Sequence, residues 1–313
     1  MLFFSLYRRF RSVLSHSDNR IISELYIHSE NLRRNVMGWK YSFVTIEELA
    51  QWTCAWVKTF SSTYDIIIGI PRSGLLVSSI VAAKLGKPLS TPELFCQKKY
   101  WTGQGSSSSQ EFKNILLIDD SISSGATLER SLGLLRSCCN NLNITRAVLI
   151  VSEESKSLVD FYYKLIPQPR LFEWNMLHIK RGITVSDFDG VICENCPEGV
   201  DSDEQLYLAW IKNAKPYLIP AFEIDAIVSS RLEKYRYLTQ EWLAKHGVRY
   251  NKLVLWDVQS KQEREGKFAK YKIEEILKIK PVIIWESNYI QAQQIWKATK
   301  IPTLCTDVKI LFA

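Results

Sequence analysis

Residues 115–127, ILLIDDSISSGAT, constrain this 313-residue chain more than any other stretch. Ile115, Leu116, Leu117 and Ile118 form an unbroken apolar run, the pattern of a parallel strand covered on both faces. Asp119 and Asp120 stand at its carboxyl end, followed by Ser123, Ser124, Gly125, Ala126 and Thr127. Leu128, Leu132 and Leu135 then recur at helical spacing. Strand, acidic pair, small polar loop and helix in this order predict an α/β unit with a ligand at the carboxyl end of its sheet. The helix start offers free N–H groups to an anion. The hydroxyls of Ser123, Ser124 and Thr127 add donors, and Gly125 and Ala126 let the backbone approach closely. A phosphate fits such a loop, and the two carboxylates suit sugar hydroxyls or hydrated Mg²⁺.

This run resembles the phosphoribosyl-pyrophosphate (PRPP) signature of type I phosphoribosyltransferases. The resemblance implies that Asp119 and Asp120 contact the ribose hydroxyls of PRPP and that Ser123, Ser124, Gly125, Ala126 and Thr127 hold its 5-phosphate. Upstream, residues 64–69 (YDIIIG) read as a core strand. Residues 70–74 (IPRSG) are a tight turn, and residues 75–85 are a helix closed by Gly86 with Pro88 beyond. This unit resembles the pyrophosphate loop of the same family. There Arg72 supplies a permanently charged planar donor, and Ser73 and Gly74 supply backbone N–H groups. Residues 97–110 (QKKYWTGQGSSSSQ) have the composition of a mobile loop. By the same resemblance this loop closes over PRPP and excludes water, with Lys98 and Lys99 meeting the departing pyrophosphate.

A second motif lies at residues 186–191, SDFDGV, after a short predicted strand at 183–185. It resembles motif I of the haloacid-dehalogenase (HAD) phosphatase superfamily, with Asp187 as nucleophile and Asp189 as acid/base. The remaining motifs fall in order. Ser229 or Ser230 follows a strand at 224–228 and would bind the transferring phosphoryl group. Lys272, with Lys270 as the alternative, would neutralise it, Lys267 lying just before. Glu286 ends a strand at 281–285. Asp187, Asp189 and Glu286 are the implied Mg²⁺ ligands, with Asn288 where a second acidic residue often stands. About thirty-five residues separate the first two motifs, too few for a large cap domain.

The expected fold class is α/β in two domains, each a mainly parallel sheet flanked by helices: a type I phosphoribosyltransferase fold, then a HAD-like Rossmannoid fold. The expected division is a helical hood or interface segment at 1–60, a transferase domain at 61–165, a connector at 166–180 and a phosphatase domain at 181–313. Residues 2–14 interleave Phe3, Leu6, Tyr7 and Phe10 with Arg8, Arg9 and Arg11. A helix on anionic lipid at the inner membrane surface satisfies that pattern, as does one packed on the chain or a partner subunit. Residues 21–34 read as a second amphipathic helix. Thr45 and Glu48 predict a capping box for a third, running to about Phe60. Trp174 reads as an acceptor platform or a buried anchor.

Net charge is +7, which fits phosphorylated substrates or an anionic surface, and no RNA-binding signature or arginine-rich run points to nucleic acid. Seven scattered cysteines, without a secretory signal, predict unpaired thiols in a reducing cytoplasm, Cys193 and Cys196 among them. A homodimer follows from family analogy alone.

The loop is most similar to the orotate-type members, DDxITxG. Yet no histidine lies in residues 97–110, and Ser123 stands where purine salvage members carry a carboxylate. A nucleotide-making enzyme gains nothing from a phosphatase that strips the phosphate it installed. A ribofuranosyl unit in a glycan does require that removal. The expected function is therefore 5-phosphoribosyl transfer from PRPP to a non-nucleobase acceptor such as a lipid-linked glycan, with Mg²⁺, followed by removal of the 5-phosphate. The alternatives are an orotate-like transferase with an attached nucleotidase, and a PRPP-sensing regulator.

Overall fold

The computed structural model describes residues 41–60, 63–103, 111–139, 141–258, 261–264 and 266–313. The two N-terminal helices expected at 2–14 and 21–34, and part of the expected mobile loop (104–110), lie outside the described residues. The chain divides into two compact units, one spanning Val44–Trp174 and one containing residues 175–313.

The first unit is built on five parallel strands: β1 (Ile66–Gly69), β2 (Leu89–Ser90), β3 (Asn114–Ser121), β4 (Asn143–Val151) and β5 (Phe161–Leu165), in the spatial order β2-β1-β3-β4-β5. Strands β1 and β3 are central and apolar, and Ile66–Ile68 and Ile115–Ile118 are fully buried. Sequence order reverses between β1 and β3, which makes the cleft at their carboxyl ends the topological switch point. Helix α1 (Ile46–Trp56) starts at the predicted capping box of Thr45 and Glu48. The sequence places this helix in the N-terminal segment. It packs Leu49 and Trp56 into the same core as Ile67, Val77 and Leu116. Helix α2 (Gly74–Leu85) ends at Gly86 in the left-handed conformation, as read from the sequence. Helices α3 (Pro92–Cys96) and α4 (Ala126–Cys138) are joined by a disulfide between Cys96 and Cys138. The expectation of unpaired thiols fails for this pair: two helices distant in sequence pack so that the Cα atoms lie 5.4 Å apart. Strand β5 has no counterpart in the sequence reading, which assigns no element to the last residues of the expected transferase domain at 61–165. Its exposed Phe161, Tyr162 and Leu165 hide the alternation of a half-buried strand.

The second unit has a six-stranded sheet: β6 (Thr184–Ser186), β7 (Ile224–Leu232), β8 (Tyr250–Trp256), β9 (Ile283–Glu286), β10 (Thr303–Cys305) and β11 (Ile310–Phe312). The order is β8-β7-β6-β9-β10-β11, with only β11 antiparallel. Here the switch point falls between β6 and β9, whose carboxyl ends carry Asp187 and Glu286. Helices α5 (Glu204–Asn213), α6 (Arg236–Lys245), α7 (Phe268–Ile279) and α8 (Tyr289–Thr299), with a single helical turn at Lys261–Arg264, complete the described α-helices of the unit. The whole β6-to-β7 connection holds one regular α-helix, α5. No described helix is long and apolar enough to cross a membrane.

Candidate functional site

In the first unit, register brings two sequence motifs side by side. Ile66 pairs with Ile115 and Gly69 with Ile118, so the turn after β1 lies against the acidic pair of β3. The contact is close. A Cβ on Gly74 would stand 2.8 Å from Asp119 Oδ1 and 3.0 Å from both Asp119 Cα and Ile118 O. Gly74→Ala is expected to lever the turn off the strand, at a cost of about 1–3 kcal/mol. Thermal denaturation would report a less stable protein, and calorimetry with PRPP, the ligand that the motif resemblance implies, would report weakened binding. An unchanged affinity would show that the turn is not part of the site.

The carboxylates sit within β3, which runs on to Ser121 rather than ending at Ile118. The Asp120 N–H donates to Asp119 Oδ1 at 2.9 Å. Burial first, then the charge of Asp120, pushes the Asp119 carboxyl well above the ordinary carboxylate range. Asp120 is buried, and its Oδ2 accepts the indole N–H of Trp174 at 2.9 Å across 54 residues. Trp174 stacks on Phe172 with ring centroids 4.6 Å apart and planes 7° from parallel. Trp174 thus holds a site carboxylate, a role neither sequence reading contained. Nothing local links it to Asp120, and only the return of the chain after β5 does so. Trp174→Phe keeps the stacked ring and removes the donor. Denaturant unfolding should report a loss of about 1–3 kcal/mol, the scale of an acceptor left unsatisfied.

The loop after β3 is braced from behind. Buried Arg170 donates to Ile122 O at 2.7 Å, and Ser155 Oγ contacts the same carbonyl at 3.4 Å. Ser123, Ser124, Ala126 and Thr127 are exposed. Gly125, at φ +82°, turns the chain into α4, whose first N–H groups open onto the loop. Arg72 is exposed and Ser73 half-buried on the neighbouring turn, whose Pro71–Arg72 peptide is cis. Lys98 and Lys99 are exposed just past α3, and among the described residues neither bonds to the loop of residues 123–127.

In the second unit, Lys272 Nζ lies 2.7 Å from Asp187 Oδ2 and 2.7 Å from Glu286 Oε2. The three side chains are 5%, 9% and 2% exposed. Lys270, the alternative, is exposed, as is Lys267. Two residues on a helix are about 200° apart, so only one of Lys270 and Lys272 can face the sheet. Burial works against the Lys272 ammonium, but Asp187 and Glu286 outweigh it and raise its pKa. Two carboxylates share one ammonium, so burial and then the Glu286 charge push Asp187 well above its usual range.

Asp189 is held differently. Arg231 Nη2 donates to its Oδ1 at 2.6 Å, and Nε lies 3.1 Å from each oxygen. Arg231 is only 1% exposed and lies over the Phe188 ring at 4.1 Å, while Asp189 keeps 27% exposure. Sequence reasoning stopped at Ser229 and Ser230 and assigned no role to Arg231. The one available signal was an arginine two residues beyond the serine on the same strand. Ser229 is buried, with Oγ accepting the Arg231 N–H at 3.2 Å.

The expected metal set of Asp187, Asp189 and Glu286 needs correction. Lys272 occupies the space between Asp187 and Glu286, and Arg231 engages both oxygens of Asp189. Among the described residues no group of three or more acidic, histidine or cysteine side chains is arranged to hold a metal ion. Neither Cys193 nor Cys196 is disulfide-bonded. Burial, then Asp189, pushes the Cys193 thiol far up, so it stays protonated.

Residues 39–180 match the phosphoribosyl transferase domain family. The chain is 26% identical over 126 residues to the transcriptional regulator GfcR of Methanocaldococcus jannaschii, covering 37% of this chain and 55% of that protein. It is 28% identical over 106 residues to the orotate phosphoribosyltransferase of Sulfurisphaera tokodaii, covering 33% of this chain and 53% of that one. The chain thus spans about half the length of these curated relatives. Among solved structures it is similar to the xanthine-guanine-hypoxanthine phosphoribosyltransferase of Helicobacter pylori, at 16% identity and a TM-score of 0.35, over 44% of this chain and 93% of that one.

Proposed function

We propose, from the premise that residues 39–180 carry a phosphoribosyltransferase-type domain, that this chain transfers 5-phosphoribosyl from PRPP to a non-nucleobase acceptor and then removes the 5-phosphate. One observation carries the second half of this reading. The second sheet presents, at its own switch point, a buried lysine between two carboxylates beside a clamped aspartate and a buried serine.

In the transfer, the bond from C1 to pyrophosphate breaks and positive charge builds on the ribose ring. Asp119 and Asp120 fix the ring through its hydroxyls and answer that charge. The loop of Ser123, Ser124, Gly125, Ala126 and Thr127 receives the 5-phosphate at the start of α4. Arg72, with the N–H groups of Ser73 and Gly74, receives the diphosphate, and Lys98 and Lys99 reach it when the loop beyond them closes. Asp119 and Asp120 would hold hydrated Mg²⁺, which when bound would supply positive charge against the diphosphate.

In the hydrolysis, a carboxylate oxygen of Asp187 attacks phosphorus and the phosphorus–oxygen ester bond breaks. The leaving alkoxide takes a proton, and water then releases phosphate from the aspartyl-phosphate. Asp189, oriented by Arg231, stands beside the nucleophile as proton donor and acceptor. Ser229 or Ser230 and Lys272 hold the transferring group, and Glu286 holds Lys272. Asp187, Asp189 and Glu286 do not converge as three ligands, since Lys272 bonds both Asp187 and Glu286 while Arg231 takes both oxygens of Asp189.

The acceptor follows from economy of chemistry. A sugar acceptor needs the phosphate removed, whereas a nucleotide does not. Absence of a carboxylate at position 123 and of a histidine in residues 97–110 speaks in the same direction. A lipid-linked glycan on the cytoplasmic face of a membrane is the acceptor class that fits. The chain would then work in the cytoplasm at the inner membrane surface, as a monomer or homodimer. The test is incubation with PRPP and a panel of glycans and nucleobases, read by mass spectrometry. Asp187→Asn should accumulate a phosphoribosylated glycan, and the double variant Asp119→Ala, Asp120→Ala should give none. Transfer to nucleobases alone would sink the reading in favour of an orotate-like transferase with a nucleotidase.

A second reading is favoured by the likeness to a transcriptional regulator: the first unit senses PRPP. Tight PRPP binding without pyrophosphate release on any acceptor would establish it.

A further inference from the structure

Asp119 and Asp120 are consecutive residues of β3, so their side chains leave the strand on opposite faces. Asp119 is half-buried and faces the turn after β1, since a Cβ on Gly74 would stand 2.8 Å from its Oδ1. Asp120 points the other way and is only 3% exposed. Its Oδ2 already accepts twice, from the Trp174 indole N–H at 2.9 Å and from the Ser121 hydroxyl at 3.3 Å. Trp174 itself is half-buried, so the indole is a cover and the Asp120 carboxylate lies beneath it.

The backbone that carries this cover is pinned. Ser42–Val44 and Arg170–Phe172 pair as a two-stranded ribbon outside both larger sheets. Arg170, at one end of the ribbon, donates to Ile122 O at 2.7 Å. At the other end the Glu173 N–H donates to Val44 O at 3.0 Å, and Glu173 Oε2 accepts the Ile46 N–H at 2.8 Å where α1 begins. Phe172, stacked on the indole, is buried. With the ribbon fixed at both ends, the part that can turn is the Trp174 side chain at its margin. A carboxylate covered in this way meets a sugar hydroxyl only by giving up a bond it has. A ribose hydroxyl donates just as the indole N–H does, and the two compete for one oxygen.

We propose that Trp174 is a specificity latch on the PRPP site: its indole N–H closes Asp120 in the unliganded protein and is displaced when the ribose hydroxyls of PRPP take the carboxylate. This rests on PRPP binding to the first unit, and it holds for transfer and for sensing alike. The latch weakens binding, because only the open fraction of molecules offers both carboxylates. It also separates the whole donor from its diphosphate fragment, since pyrophosphate has no sugar hydroxyl with which to replace the indole.

The test uses the full chain with PRPP and inorganic pyrophosphate as probes, read by calorimetry and by the indole N–H resonances. The Trp174 signal is the one absent from Trp174→Phe. In the parent it should shift with PRPP and stay still with pyrophosphate. Trp174→Phe keeps a stacked ring without the donor. It should bind PRPP about tenfold more tightly, the scale of one hydrogen bond to a charged group, with its pyrophosphate affinity unchanged. Trp174→His, which retains a ring N–H, should gain less, and it identifies the same signal if the phenylalanine variant does not fold. PRPP binding that leaves the Trp174 signal still, or that is no tighter in Trp174→Phe, overturns the latch. Asp120 is then permanently braced, and the transferase reading stands. Should PRPP bind neither parent nor variant, that reading falls and the latch falls with it.

Discussion

Lys272→Met should lower the stability of the second unit by about 3–5 kcal/mol, the cost of leaving buried charge without its partner, and on the phosphatase reading proposed above it should also abolish turnover. The magnitude follows from the arrangement. Asp187 and Glu286 both lie 2.7 Å from Lys272 Nζ and are almost fully buried, so its loss leaves two carboxylates facing each other without a counter-charge. One of them must then bind a proton to remain inside. Asp187 is already raised by burial and by Glu286, with Lys272 acting against both. Removal of the ammonium pushes Asp187 further up and converts the nucleophile to its unreactive acid. Any residual activity should show an acid limb displaced to higher pH. Calorimetry of the full chain reads the stability, and the triple variant Asp187→Asn, Lys272→Met, Glu286→Gln supplies the control. With the charges gone, stability should return toward the parent value while activity stays absent. A Lys272→Met protein as stable as the parent would show that the trio is not the electrostatic centre of this unit.

Asp119→Asn should separate stability from function in the first unit. Burial, then the neighbouring Asp120 charge, raises the Asp119 carboxyl well above its ordinary range of about 3.9. For a carboxyl raised in the folded state, its stabilising contribution is complete below the unfolded pKa. It is lost as pH rises through the folded one. The parent protein should therefore lose stability with rising pH through that window, and Asp119→Asn should not. The two should converge in acid and diverge above, with the variant the more stable. On the transferase reading proposed above, transfer should fall on the order of 100-fold or more, the scale of a lost electrostatic contact to developing charge. Denaturation across pH and pyrophosphate release are the paired measurements. A variant that is less stable at every pH would show that Asp119 is held by favourable bonds rather than against repulsion.

Much of the first site was legible because its parts are covalent neighbours. The run from Ile115 to Thr127 carries its own strand, carboxylates, loop and helix start, and the turn holding Arg72, Ser73 and Gly74 is equally local. In the second unit the order of Asp187, Ser229, Lys272 and Glu286 could be read as a series, but not the contacts among them. Lys270 and Lys272 are equivalent in composition, and only the face of α7 that meets the sheet chooses Lys272. Trp174 reaches Asp120 across 54 residues, and Arg231 reaches Asp189 across 42.

Local pattern was enough for the strand, acidic pair, loop and helix of residues 115–127 and for the strand ending at Ser186, because backbone propensity and apolar periodicity act within a few residues. The tertiary structure alone decided which charges meet: Lys272 between Asp187 and Glu286, Arg231 on Asp189, Trp174 under Asp120. Those pairings are set by side-chain packing between elements far apart in the chain. Their strength comes from the exclusion of water that packing creates, which no local pattern encodes.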